Sequence, residues 1–436
     1  MVFRPFPEYY NKQNGNTAVS DNVWTLGNGL KVSVPQRMYR YNAMPDAAVY
    51  EEATYAIGKR FFFEERGINE RNVAISATNS LTINDKARNF DPLLVSGGIA
   101  ESIIPTLLLP QVESAKEAVK LLGRYVEKYG ASEVNGILIG DPDESWYFEI
   151  GSCHHWIAVK IPEDSYLVVA NDTRVHSVDL DNEDVLHSKN LFEFIYEHKL
   201  LEAPDRHNFN FAEAFGVPGD PTNVDRIWLA QKILTPSLDQ KPREYQYPLF
   251  LKPDKKIHVR DVMNVLRATY KGTKLEGIAE RAIGVDRTAE SHIMVLDPKM
   301  PPELKGLIWQ VISTPLGAPY LPLYSIMDDI PPGFSLEGDQ YSPLSAYWSF
   351  RGLYSLCKVN HDKYRFLVEE LWRDYEEQSF REYEPIKEML MKMYACNPAA
   401  AKDFAKRYST GIACQTVGRA NKERDLLMTK ITNDTQ

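Results

Sequence analysis

Cysteine is scarce in this chain: four residues in 436, at positions 153, 357, 396 and 414. No two stand in a CxxC pair, so the sequence carries neither a disulfide framework nor a zinc-ribbon spacing, and no metal ligand is assigned. A leader signal is also lacking. The opening MVFRPFPEYYNKQNGN has no apolar core, and no run of about 18 apolar residues occurs anywhere. These absences point to a cytoplasmic protein without a membrane span. Basic residues are outnumbered by acidic ones, 50 against 60, which leaves a net charge of −10. Such a surface repels phosphate and argues against nucleic acid as a partner. Glycine and proline, 24 and 27 residues, are too few for a fibrous chain. The signatures HExxH, GxSxG and GxxxxGK[ST] are absent, which removes the commonest metalloprotease, serine-hydrolase and nucleotide-binding patterns.

What is present is an ordinary globular composition, 44% hydrophobic and 25% charged, as expected of an enzyme acting on small molecules. At about 150 residues per domain the length would allow roughly three domains. No repeat and no low-complexity linker divides the chain, however, so one compact unit over 1–436 is expected.

Residues 1–60 read as loops with one or two strands, among them 29–34. Residues 72–80 (NVAISATNS) alternate as a half-buried strand does, with Val73, Ile75 and Ala77 on one face. Ser114 and Glu117 form a capping box at the head of a helix, and Gly130 is placed to end it. Strand patterns follow at 136–139, 146–150, 155–159 and 166–169, joined by turns too short for a parallel crossover, so these neighbours are antiparallel. Helical patterns return at 190–200, 226–234 and 260–270, then strands at 292–296, 307–312 and 321–324. Beyond 360 the chain is helical. Leu367, Val368, Leu371, Trp372 and Tyr375 form one stripe, and Ile386, Met389, Leu390 and Met393 form another after Pro385. Asn397-Pro398 caps a further helix. Strands and helices that segregate in blocks indicate an α+β fold, with 360–436 as a helical region packed on the rest.

Few residues suggest chemistry. Cys153, His154 and His155 could pair a thiol with a base. In a strand, however, Cys153 and His154 face opposite ways, and Cys153 and His155 stand about 7 Å apart. Packing is the simpler reading, with catalysis or metal binding as the alternative. The glycines at 97 and 98 read as a turn, since the lysine of a phosphate loop is missing. The acidic pairs at 51–52, 64–65 and 376–377 read as solvated faces, and Phe61, Phe62 and Phe63 as core. Asn79, Asn171 and Arg226 stand out as polar residues at the ends of apolar elements. Side-chain amides at strand ends can donate to a developing oxyanion. The plainer alternative is that both asparagines form turns and that Arg226 pairs with Asp225 or another acid.

Several segments, in order, resemble a known family. They are 67–78 (GINERNVAISAT), Asp91-Pro-Leu, 104–110 (IPTLLLP), 114–119 (SAKEAV), 133–136 (EVNG), 146–149 (WYFE), 154–158 (HHWIA) and 283–288 (IGVDRT). Together they resemble the cysteine dipeptidases of the dipeptidase D type, over roughly residues 1–330, with a looser match in the last hundred. The resemblance implies an N-terminal-nucleophile (Ntn) hydrolase with an αββα sandwich of two antiparallel sheets. It also implies dipeptide substrates and no cofactor. In that family a cysteine becomes residue one, and its thiol attacks the peptide carbonyl. The free α-amine, with a pKa of about 8, accepts the thiol proton. By order and local motif, Asn79, Asn171 and Arg226 match the oxyanion and support positions of the wider superfamily.

The match also has a gap. The chain opens Met1-Val2-Phe3-Arg4-Pro5, without the family's nucleophile segment, so no catalytic nucleophile is assigned here. The 436 residues alone are expected to be inactive. Two other functions stay open: a peptide-binding relative without activity, and an amidase of the same superfamily. The number of subunits is also open, a homo-oligomer included.

Overall fold

The computed structural model describes residues 2–4, 17–45, 64–328, 330–336 and 340–435. The acidic pair at 51–52 and the phenylalanines at 61–63 fall outside the described residues. The fold is mixed α+β with antiparallel sheets and a helical C-terminal region. Two compact units form: Arg4–Ile257 with Tyr270–Ala282, and His258–Thr269 with Ile283–Gln436 and Met1–Phe3.

The larger unit is built on one antiparallel sheet. Its strands are β1 (Tyr41–Pro45), β2 (Glu64–Asn69), β3 (Ala74–Ser80), β4 (Asn135–Gly140), β5 (Ser145–Ile150), β6 (Trp156–Lys160) and β7 (Val185–His187), adjacent in that order. The first two short turns expected to join antiparallel neighbours do so, and the third, at 162–165, does not. Asp141 closes the β4–β5 turn by accepting the Asp143 and Glu144 N–H groups at 2.8 and 2.9 Å. A smaller antiparallel sheet joins Thr17–Ser20, Val23–Leu26 and Lys31–Ser33. Tyr166–Leu167 leaves the main sheet and pairs instead with Phe250–Leu251.

Two residues of the segment 67–78 explain why it is so particular. A side chain at Gly67 would stand 2.4 Å from a Leu109 methyl and 2.7 Å from the Asn42 carbonyl, so only glycine fits there. Buried Asn69 donates to the Leu109 and Val112 carbonyls, each at 2.8 Å, and accepts the Arg71 and Val73 N–H groups. It thereby shapes the β2–β3 turn and ties it to the chain ahead of a longer helix. That helix, α1 (Ala115–Tyr129), starts as its sequence predicts: Ser114 accepts the Glu117 N–H at 3.2 Å. Gly130 ends it, and Ala115, Ala118, Val119, Leu122 and Val126 form its buried face.

The acidic pair at 64–65 is not a solvated face. Glu64 is fully buried at the start of β2, where its carboxylate accepts from the Tyr41 hydroxyl at 3.0 Å and the Thr106 hydroxyl at 2.5 Å. Those donors lie far away in sequence, which is why local pattern could not anticipate the burial.

The smaller unit pairs β8 (Glu290–Leu296), β9 (Gly306–Ile312) and β10 (Leu321–Tyr324) and surrounds them with helices, among them α2 (His361–Cys396) and α3 (Pro398–Thr435). The two apolar stripes on either side of Pro385 lie on one helix, α2, which continues through the proline. Trp309 of β9 stacks on Phe380 at 4.9 Å. Glu376 is buried against Arg267, again contrary to a solvated face, whereas Glu377 is exposed and pairs with Arg260. Among the described residues no helix is long and apolar enough to cross a membrane.

Candidate active site

Asn171 and Arg226, which are 55 positions apart, meet. Asp220 caps the helix Pro221–Leu234 by accepting the Thr222 N–H at 2.8 Å, and Pro221 occupies the first turn, where its missing N–H costs nothing. This start is five residues earlier than the apolar pattern at 226–234 suggested, and it places Arg226 in the second turn. The guanidinium donates to the Thr222 carbonyl at 2.9 Å, to Asn171 Oδ1 at 3.0 Å and to Asn223 Oδ1 at 2.5 Å. Asn223 in turn donates to the Asn171 carbonyl at 2.7 Å. The amide of Asn171 is therefore oriented: its oxygen faces the guanidinium, so its NH2 points elsewhere and is left to donate. Arg226 does not pair with Asp225. That buried carboxylate takes Arg243 at 3.3 Å instead.

Asn171 lies in a loop that the sheet holds from below. Glu149, fully buried on β5, accepts the Arg174 N–H at 2.5 Å and the Val175 N–H at 3.1 Å. Desolvation pushes its carboxyl up to about 7, against the pull of those two backbone donors. The Arg174 side chain is buried too, and it donates to the carbonyls of Val168, Tyr247 and Pro248. Asp172 accepts the Gly219 N–H at 3.4 Å, and burial raises its carboxyl to about 6. His176 donates through Nε2 to the Tyr247 carbonyl at 2.9 Å, and burial lowers its pKa.

Asn79 falls in β3, where the register places it opposite Gly136, and Gly136 stands opposite Glu149. The pairing slips between Ala77 and Asn79, a bulge that locally re-aims the strand. The side chain of Asn79 lies outside the described residues. By backbone, then, Asn79 shares a cross-strand row with the carboxylate that anchors the Asn171 loop. Asn79, Asn171 and Arg226 stand out in the sequence; Asn223, Asp172, Arg174 and Glu149 do not. Glu149 did leave a signal, as the one acid inside the apolar run 146–150.

Cys153 and His154 depart from expectation. Residues 151–155 bend between β5 and β6 and are not strand, so alternation does not separate the two side chains. Cys153 Sγ lies 3.8 Å from His154 Nε2, and His154 Nδ1 lies 2.8 Å from Asp91 Oδ1. Asp91 Oδ2 accepts from the Ser152 hydroxyl at 2.8 Å and from the His154 N–H at 2.7 Å. Cys153 is 1% exposed, and burial together with the Asp91 charge pushes its thiol pKa up. A buried thiol of raised pKa makes a poor nucleophile.

A side-chain amide whose oxygen is held has its NH2 left to donate. Comparison with known proteins gives the family. The profile of peptidase family C69 matches residues 20–374. A probable dipeptidase of Latilactobacillus sakei is 33% identical over 351 residues, covering 78% of this chain and 72% of that protein. A probable dipeptidase of Salmonella dublin is 35% identical over 319 residues, covering 70% of this chain and 71% of that protein. A probable dipeptidase B of Streptococcus pyogenes serotype M1 is 28% identical over 414 residues, covering 90% and 81%. The chain belongs to peptidase family C69.

Proposed function

We propose that this protein hydrolyses dipeptides through an N-terminal cysteine nucleophile, with Asn171 donating to the tetrahedral oxyanion. The observation that carries this reading is the orientation of Asn171: Arg226 holds its oxygen, which leaves its NH2 to donate. The names of the relatives support the choice of substrate. Asn79 is the second donor in this reading, on the same row of the sheet as Glu149. The main sheet is then one layer of an Ntn αββα sandwich, and the protein works in the cytoplasm.

An N-terminal nucleophile needs its own free α-amine as base. All four cysteines here are internal, and their α-nitrogens are bound in peptides. A cavity of about 760 Å³, bordered by Asn84, Gly216, Pro218 and Tyr245, lies along the chain just ahead of Gly219 and has ample room for a dipeptide.

The test compares two proteins on one dipeptide panel: the 436 residues alone, and the same chain extended at its N-terminus by a family segment that begins with cysteine. Turnover by the extended chain only is expected. Turnover by the 436 residues alone would contradict the reading, as would an extended chain that melts cooperatively yet cleaves nothing.

A further inference from the structure

The cluster at Asp91, Cys153 and His154 takes no part in the hydrolysis described above, and its geometry suits a ligand of another kind. A tetrahedral zinc-class ion with a sulfur bond of about 2.3 Å and a nitrogen bond of about 2.0 Å holds its sulfur and nitrogen ligands about 3.5 Å apart. Cys153 Sγ and His154 Nε2 already stand at 3.8 Å. The other imidazole nitrogen is committed as a metal-binding histidine requires, since Nδ1 faces Asp91 Oδ1 at 2.8 Å. This carboxylate contact fixes both the tautomer and the ring orientation, and leaves the Nε2 lone pair facing the Cys153 thiol. Asp91 is itself held by Ser152 and by the His154 backbone.

A second observation concerns space. Gly130, which ends α1 at φ +75, borders both candidate ligand atoms. A Cβ there would lie 2.8 Å from Cys153 Sγ, 3.4 Å from His154 Nε2 and 3.0 Å from a Leu94 methyl. A larger residue at this position would crowd the sulfur and the nitrogen, and the positive φ itself favours glycine. The His154 side chain is 48% exposed, so the remaining coordination positions can be filled by water.

We propose that Cys153 and His154 bind one soft divalent cation of the zinc or cadmium type, with Asp91 as the residue that positions the imidazole. Binding forms a metal–sulfur and a metal–nitrogen bond and releases the thiol proton to solvent.

The test uses the 436-residue protein with the exposed Cys396 and Cys414 replaced by serine, titrated with Cd²⁺ and followed by sulfur-to-cadmium charge-transfer absorption in the ultraviolet. Cys357 is buried, donates to the Leu353 carbonyl and has its thiol pushed up to about 12, so it stays silent. One saturable equivalent is expected. Cys153→Ser should abolish the absorption, His154→Gln should weaken binding at least tenfold, and Asp91→Asn should weaken it by about tenfold. Because His154 is half exposed, its variant should fold even if the Cys153 variant does not. An absent band, a band that survives Cys153→Ser, or unchanged affinity in His154→Gln would overturn the site. Unchanged affinity in Asp91→Asn would overturn the role given to that carboxylate.

Discussion

Glu149 in the larger unit and Glu376 in the smaller are both buried acids, yet they meet different donors. Glu376 faces a guanidinium: Arg267 donates to Oε1 at 2.6 Å and to Oε2 at 2.9 Å, and the Tyr320 N–H adds a third bond at 2.9 Å. Glu149 accepts the backbone N–H groups of Arg174 and Val175, while the Arg174 guanidinium donates to carbonyls. The first arrangement neutralises charge and locks a helix to a loop. The second holds a loop in place but leaves the carboxyl without a directly bonded cation. The loop that carries Asn171 thus rests on a buried acid without a directly bonded guanidinium, whereas the buried acid of the smaller unit has one.

Breaking the compensated pair should have the largest effect. Arg267→Met strands the Glu376 carboxylate and should lower stability by about 3 kcal/mol in urea unfolding, the lower end for a buried pair because the guanidinium is partly exposed. Catalytic rate in the active enzyme should be unchanged. An unfolding curve identical to that of the parent would show that the pair is only incidental.

The uncompensated acid should reveal itself through pH. The Glu149 carboxyl is raised from its ordinary 4.5 to about 7, so between those values the folded state holds a proton that the unfolded state has released. Its contribution is therefore fully present below about pH 4.5 and is lost as pH rises through 7, by about 3 kcal/mol. Asp172, raised to about 6, acts in the same direction. In Glu149→Gln the first of these slopes should vanish and only that of Asp172 remain. An unaltered slope would mean that Glu149 is ionised throughout.

Arg226→Lys sharpens the comparison on the catalytic side. An ammonium cannot hold Thr222, Asn171 and Asn223 in the geometry of a planar fork. A fall of about tenfold in kcat with little change in KM is expected, because the orientation of Asn171 matters most when charge develops on the substrate. A rise in KM alone would assign Arg226 to substrate binding.

Local features of this fold were legible in the sequence. The helix Ala115–Tyr129 announced both ends through Ser114 and Gly130, and the antiparallel order of β4, β5 and β6 followed from turn length. What sequence could not supply were contacts between distant positions. Glu64 looked solvated because Tyr41 and Thr106, its donors, are 23 and 42 positions away. Arg226 looked like a partner for the adjacent Asp225, while its actual acceptor on Asn171 lies across 55 positions. Cys153 and His154 were separated by a rule for strands that does not hold in a bend. Asn79, Asn171 and Arg226 were singled out as polar residues bounding apolar elements. Glu149, which staples the loop, was hidden as one acid in an apolar strand.

The central claim is that the Asn171 amide, oriented by Arg226, stabilises the oxyanion of dipeptide cleavage. Its most direct test is kcat for Asn171→Ala in the enzyme that carries its N-terminal cysteine, measured beside the melting temperature. The account predicts a loss of roughly a hundredfold or more, as removal of one oxyanion donor produces, with the melting temperature nearly unchanged. Full kcat in a folded Asn171→Ala protein would contradict it.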